Sequence, residues 1–212
     1  VPNLSEELQI VRDLYLLEYT GGKLHIPTIT TAGAVKLIRE AKKKGLDVSC
    51  SVSAHHLSLT DEEIVSFDSN FKVNPPLRTS KDVKALRNGV QDGTIDMIVS
   101  DHNPIDIENK KVEFENGLSG TIGLESLFGS VSNLVGIESF VKCMTTNPQM
   151  RFDLPLSVIE ENACADLTLF DPDREYVFKE EMISSKSHNS AFLGKSLKGQ
   201  ALGIFAQNQL VI

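Results

Sequence analysis

The residues best suited to chemistry are polar side chains that follow predicted strands. His55 and His56 come directly after one apolar strand, Asp101 and His102 follow another, and Asn74 ends a third extended segment. In a parallel sheet or barrel the carboxyl ends of the strands open on one face, so these groups should converge. Neutral imidazole and carboxylate are ligands for a divalent metal such as zinc, and a carboxylate beside bound water can act as a general base.

Structural roles also account for the same residues. A histidine at a strand end is more often a hydrogen-bonded structural residue than a ligand, and Asp101 ahead of Asn103 and Pro104 could cap a turn. Position alone therefore leaves both interpretations open.

The elements that position these groups alternate along the first hundred residues. A Thr60–Glu63 capping box, S/T-x-x-E, predicts the start of a short additional helix. Such alternation is typical of βαβ units with a parallel sheet. Helices are predicted over residues 3–19, 32–44 and 79–92, and strands over 23–29, 47–53, 71–74 and 94–100.

The pattern changes after a helical stretch predicted over residues 123–144. Short strands with turn residues between them are then predicted at 165–170, 176–178, 199–206 and 209–212. We expect an α/β domain over residues 1–147 and a small β-rich module over 148–212, with the boundary near Asn147 and Pro148.

Composition excludes several classes of partner. The chain has 212 residues, 21 Lys and Arg against 29 Asp and Glu, and a net charge of -8, which argues against binding to nucleic acid or to anionic membranes. No apolar run approaches the roughly 18 residues that a membrane span needs. Three widely spaced cysteines without a CxxC motif favour reduced thiols over disulfides or a cysteine zinc site. A cytoplasmic location is the expectation.

Several sequence strings, in their order along the chain, resemble the C-terminal half of the dihydroorotase family, cyclic amidohydrolases of pyrimidine synthesis. The resemblance spans essentially the whole chain, and Asn74 ahead of Pro75 and Pro76 favours the dihydroorotase branch over hydantoinase-like and allantoinase-like relatives. The strings are Leu24–Ile26, Thr30–Val35, Ala54–Leu57, Phe71–Arg78, Asp92–Asp96, Ser100–Pro104, Gly120–Glu125, Thr145–Pro148, Ala165–Pro172 and Ser184–Ser187.

The resemblance implies the second half of a (β/α)₈ TIM-like barrel plus a small C-terminal β-rich module. Family members hold one or two zinc ions at the strand ends. By this resemblance His55 matches the metal ligand of the sixth strand, Asp101 matches the ligand and catalytic base of the eighth strand, and Asn74 matches a substrate-contacting asparagine.

Two departures from the family pattern bear on activity. Thr28 stands where the family has a ligand histidine on the fifth strand, and Ile105 stands where a histidine would meet the substrate carboxylate. His25 lies three residues before Thr28, so its side chain should point to the opposite face and be structural. His55 and Asp101 are two ligands, whereas a catalytic zinc typically has three, so this chain alone should not assemble the zinc centre.

Three functions follow from the resemblance. We favour a catalytically impaired dihydroorotase-like pseudoenzyme that acts as a structural partner. The alternatives are an active zinc-dependent dihydroorotase whose N-terminal half is absent from this chain, and a related cyclic amidohydrolase with another small-molecule substrate. Expected partners are the N-terminal half of the barrel, a second copy of the chain, or aspartate carbamoyltransferase, because a barrel of about 250 residues cannot fit in this length.

Overall fold

A computed structural model describes residues 1–156, 158–161 and 163–212, which form a mixed α/β structure. Its helices are α1 (Asn3–Thr20), α2 (Ala32–Lys43), α3 (Ala54–Ser58), α4 (Ser80–Gln91), α5 (Ile107–Lys110), α6 (Leu127–Val135), α7 (Ile137–Met144) and α8 (Thr146–Arg151). Its strands are β1 (Leu24–Ile26), β2 (Val48–Ser53), β3 (Met97–Val99), β4 (Leu167–Val177), β5 (Ser196–Ala206) and β6 (Gln209–Val211).

The first three strands form a parallel sheet in the order β1-β2-β3. All six residues of β2 are buried, as expected for a central strand covered on both faces. The main apolar core lies between this sheet and the surrounding helices. Because the strands are parallel, their carboxyl ends meet at one edge.

Local signals explain the two helices that flank β2 in the sequence. Thr31 caps α2 by accepting a hydrogen bond from the Ala34 amide at 3.0 Å, and Thr79 caps α4 in the same way. The buried side chains of α2 recur three and four residues apart, so one face of the helix packs on the core.

In the 60–74 region one predicted element is wrong, and the predicted short helix is present without its expected cap. Residues 71–74 form no strand: Phe71 ends a short 3₁₀ helix, Ser69–Phe71, and the following Pro75 and Pro76 cannot donate to a ladder. The helix after Thr60 is a 3₁₀ helix, Asp61–Ser66, and the Thr60 side chain makes no capping hydrogen bond.

The helical stretch predicted over 123–144 is two helices. Gly136, with a φ of 87°, separates α6 from α7, because a positive φ ends the helix and glycine tolerates it. The predicted boundary near Asn147 and Pro148 falls within α8. The division into two domains stays a prediction.

The C-terminal strands form an antiparallel sheet in the order β4-β5-β6. The strands predicted at 165–170 and 176–178 are one strand, β4, with an irregular register between Asp171 and Glu175. A second apolar cluster, which includes Phe178 and Phe192, lies beside this sheet. Within the described ranges, no helix is both long and apolar enough to span a membrane.

Candidate functional site

The structure brings His55 and Asp101 together, as their strand-end positions predicted. His55 is the second residue of α3, which directly follows β2. Asp101 follows β3, which pairs with β2. The Nε2 atom of His55 lies 3.2 Å from Oδ2 of Asp101. The two residues are 46 positions apart in sequence, so the parallel pairing of β2 and β3 creates this contact.

His55 is the most unusual polar group of the site. Its side chain is 1% exposed, yet neither ring nitrogen has a hydrogen-bond partner of acceptable geometry among the described residues. A buried polar atom without a partner costs free energy unless a water molecule, an ion or a ligand satisfies it. An unpartnered imidazole nitrogen beside a carboxylate has the donor chemistry of a metal ligand.

Asp101 is held in a special backbone conformation. Its φ is 46°, in the left-handed region, and its Oδ1 atom accepts a hydrogen bond from the Asn103 amide group at 3.0 Å. Contact with the His55 imidazole holds the pKa of Asp101 below its usual value, although partial burial opposes this effect. The carboxyl group is therefore ionised at neutral pH and can accept a proton.

His56 is structural, although it is adjacent to His55. Its Nδ1 atom lies 2.6 Å from the Ser53 hydroxyl, and its Nε2–H group donates to the Pro75 carbonyl at 3.0 Å. Burial, with a smaller effect of His55, lowers the pKa of His56 to about 3. The neutral ring has both nitrogens engaged and ties the end of β2 to the Asn74–Pro75 turn. Asn74 itself is exposed.

The two departures from the family pattern lie beside the same edge of the sheet. Thr28 has a φ of 50°, and its amide donates to the Ser51 hydroxyl on β2 at 3.1 Å. A β-branched residue in this region is strained, which is typical of functional positions. Ile105 lines a cleft of about 880 Å³ together with polar groups of the segment 186–189. His25 contacts Ser49 and Phe152 rather than Asp101.

A catalytic zinc requires more ligands than His55 and Asp101 provide. Within the described ranges, no cluster of three or more histidine, cysteine or acidic side chains could hold a metal ion. His55 and Asp101 supply two ligands, and three are typical of a catalytic zinc. The residues that the structure describes do not, by themselves, fit a catalytic zinc.

Sequence reasoning missed three residues that hold the backbone after Asp101, directly or through one another: Asn189, Ser185 and Glu125. His102 shows why they matter: its Nε2 atom lies 3.1 Å from the Ser185 hydroxyl, which donates to Glu125 at 2.8 Å. Glu125 and Ser185 lie in strings that carry the dihydroorotase resemblance, but no local pattern singles out Asn189.

Comparison with known proteins places these observations in a family. Residues 4–200 match the amidohydrolase family. The chain is 38% identical over 216 residues to a dihydroorotase of Geotalea daltonii, covering 100% of this chain and 51% of that protein. It is 42% identical over 206 residues to a dihydroorotase of Pelotomaculum thermopropionicum, covering 94% of this chain and 48% of that protein. The chain thus spans about half the length of the curated relatives it matches.

Solved structures agree at the level of the fold. A D-hydantoinase superposes with a TM-score of 0.85 at 24% identity, covering all of this chain and 49% of that one. A dihydropyrimidinase from Brevibacillus agri superposes with a TM-score of 0.87 at 21% identity and the same coverage. Because the match to the family covers residues 4–200, which is most of its length, this chain belongs to the amidohydrolase family.

Proposed function

We propose that the chain is the C-terminal half of a dihydroorotase-like cyclic amidohydrolase barrel, and that by itself it does not catalyse ring opening of dihydroorotate. The observation that carries the proposal is the two-ligand site: His55 and Asp101 lie 3.2 Å apart, and no third ligand joins them in the described part of the chain. The half-length match to proteins named dihydroorotase supports the substrate class.

The proposed roles of the site residues follow from their surroundings. Asp101 is ionised and half-buried, so it is the group able to accept and return a proton during amide hydrolysis. Asn74 is exposed at the turn that His56 anchors, where its amide can donate to a substrate carboxylate. Ile105 cannot form an ion pair, which removes one contact that a carboxylate-bearing substrate would use.

A partner is proposed from the surfaces that the chain leaves open. A second apolar face on α1, here called the α1 stripe, is exposed: Leu4, Leu8, Val11, Tyr15 and Tyr19. The helix already buries a different face, with Ile10, Leu14 and Leu17, against the core. In the described residues β1 pairs with a strand on one side only, so its other edge is available for pairing.

The partner that suits both surfaces is an N-terminal half barrel, which supplies parallel strands and flanking helices together. In this assembly the chain is a structural member, inactive if Thr28 and Ile105 abolish catalysis. A second copy of the chain or aspartate carbamoyltransferase would instead cover the α1 stripe without completing the sheet.

One observation favours the alternative of an active enzyme. The buried ring of His55 faces Oδ2 of Asp101 at 3.2 Å and has no other polar partner among the described residues, so the two side chains together suit a metal ion. An active zinc-dependent dihydroorotase would complete its ligand set from an N-terminal half. A relative with a different cyclic amide substrate is favoured by Ile105, which suits a ligand that lacks the carboxylate.

The test compares the chain and its Asp101→Ala variant for ring opening of dihydroorotate, with and without added zinc. We expect no measurable rate from either protein. A rate that Asp101→Ala abolishes would refute inactivity. The same assay after addition of the separately purified N-terminal half of the Geotalea daltonii dihydroorotase distinguishes the alternative: activity that appears only in the mixture, and only with Asp101 present, would establish an active half-site.

A further inference from the structure

The C-terminal segment Ser184–Ala191 contacts the loop that carries Asp101. Asn189 is the centre of this contact: its Oδ1 atom accepts from the Ile105 amide at 3.1 Å, and its Nδ2 atom donates to the carbonyls of Asn103 at 2.9 Å and Gly120 at 3.2 Å. The residue is 5% exposed. Its side chain thus satisfies backbone groups in two parts of the segment between β3 and α6, residues 103–105 and residue 120.

The main chain of Asn189 extends the same contact. Its carbonyl accepts from the Ile122 amide at 3.0 Å and from the Thr121 hydroxyl at 3.0 Å. The Thr121 hydroxyl in turn accepts from the Ala191 amide at 2.9 Å. Thr121 also forms a parallel bridge with His102, so the contact is continuous with the sheet edge that follows β3.

A second connection joins the segment to His102, the neighbour of Asp101. The amides of Gly123 and Leu124 point to Nδ1 of His102 at 3.3 Å each. Nδ1 therefore accepts, and Nε2–H donates to the Ser185 hydroxyl, whose own proton goes to Glu125. This order of donors fixes the orientation of His102, because both of its ring nitrogens are engaged.

The backbone that carries Asp101 lies beyond the end of the regular sheet. β3 ends at Val99, and Pro104 has no amide hydrogen, so the loop cannot form a regular ladder. Asp101 also adopts a φ of 46°, a conformation that persists only where the surroundings impose it. The segment Ser184–Ala191 contacts three of the residues that follow Asp101, namely His102, Asn103 and Ile105.

We propose that Asn189, assisted by Ser185, is a positioning residue that sets the distance and orientation of Asp101 relative to His55. The inference rests on the proposed function only in assigning proton transfer to Asp101. It means that the candidate site is not built by the parallel sheet alone: the part of the chain beyond residue 147 determines its geometry.

The test uses Asn189→Ala in the full chain, with Asn133→Ala as the matched control. Asn133 also uses its amide nitrogen to bind two carbonyls, those of Pro172 and Lys198, but it lies between α6 and the C-terminal sheet. The readouts are hydrogen exchange of the Ile105 amide and the ¹⁵N chemical shifts of the His55 ring.

We expect Asn189→Ala to speed exchange of the Ile105 amide at least tenfold and to shift the His55 ring resonances, and Asn133→Ala to change neither. Asn189→Asp keeps the acceptor for Ile105 and should restore protection of that amide, while the lost donors still alter the His55 resonances. If Asn189→Ala does not fold, Asn189→Asp and Ser185→Ala carry the test through the same His55 shifts. Unchanged His55 resonances in folded Asn189 variants, or equal changes in Asn133→Ala, would overturn the inference.

This outcome is separate from that of the proposed function. The exchange rates and ring shifts are measured without substrate or metal, so finding activity would overturn the proposed inactivity and leave the positioning role standing.

Discussion

Replacing Thr28 with histidine tests the reasoning about the site most directly. The dihydroorotase resemblance puts a ligand imidazole at this position, and the structure gives Thr28 a φ of 50°. Left-handed φ values are unfavourable for β-branched residues and are tolerated several-fold better by histidine and asparagine. Thr28→His should therefore relieve strain while it adds the third ligand that His55 and Asp101 lack.

The size of the effect can be worked from the ligand count. A structural zinc site with four ligands binds with about 10–16 kcal/mol, which is roughly 3 kcal/mol for each ligand. A third ligand should thus tighten zinc binding about 100-fold, since each 1.4 kcal/mol is tenfold. Relief of backbone strain should add about 1 kcal/mol of stability, at the lower end of the usual cost of such a conformation.

Zinc affinity can be measured by competition with a chromophoric chelator at neutral pH. Thr28→Asn is the matched control, because asparagine also tolerates positive φ but supplies no imidazole. Combining Thr28→His with His55→Ala should return the affinity to that of the unmodified chain. Equal zinc affinity in Thr28→His and Thr28→Asn would refute the assignment of position 28 to the ligand set, and tight zinc binding by the unmodified chain would refute the two-ligand argument.

Three further predictions concern the rest of the molecule. The chain alone should self-associate through exposed apolar surface, and light scattering measures its mass. Leu8→Glu on the α1 stripe should shift that mass toward the mass of a monomer. A monodisperse monomer before the change would contradict the half-barrel proposal. Burial lowers the pKa of Lys110 to about 8 in the folded chain. Between about pH 8 and 10.5 the unfolded chain therefore binds more protons than the folded chain, so the free energy of unfolding should rise with pH by about 1.4 kcal/mol per unit. In denaturant titrations Lys110→Met should lose this rise, whereas a change at exposed Lys111 should keep it. Gly129→Ala should destabilise the chain by roughly 1–3 kcal/mol in the same titrations, because the added Cβ would lie 2.8 Å from the Gly199 carbonyl oxygen. Unchanged stability would show that α6 and β5 can separate freely.

Three parts of the candidate site share one edge of the parallel sheet. The cleft beside Ile105, the Asn74 turn and the His55–Asp101 pair come from loops that leave the same edge of the parallel sheet. The family resemblance names these residues, but it does not state that His55 would be buried with its ring facing Asp101 or that Asp101 would adopt a positive φ. These two facts determine how the site is to be tested.

Local information in the sequence was sufficient for the elements that are decided within a few residues. Helices α2 and α4 were predictable because their apolar residues recur at helical spacing and Thr31 and Thr79 cap them. The buried strand β2 was predictable from its own apolar run, and the convergence of His55 and Asp101 followed from the shared edge of parallel strands.

Tertiary structure decided what depends on distant partners. The segment 71–74 reads as extended, yet Phe71 ends a 3₁₀ helix, and the Lys72 carbonyl accepts from the Gly120 amide, almost 50 residues later, rather than from a neighbouring strand. Asn189 has no local signal, because its three side-chain partners lie 69 to 86 residues earlier in the chain. A hydrogen bond between residues so far apart forms only after the intervening chain has folded, and for this reason spacing and composition could not predict it.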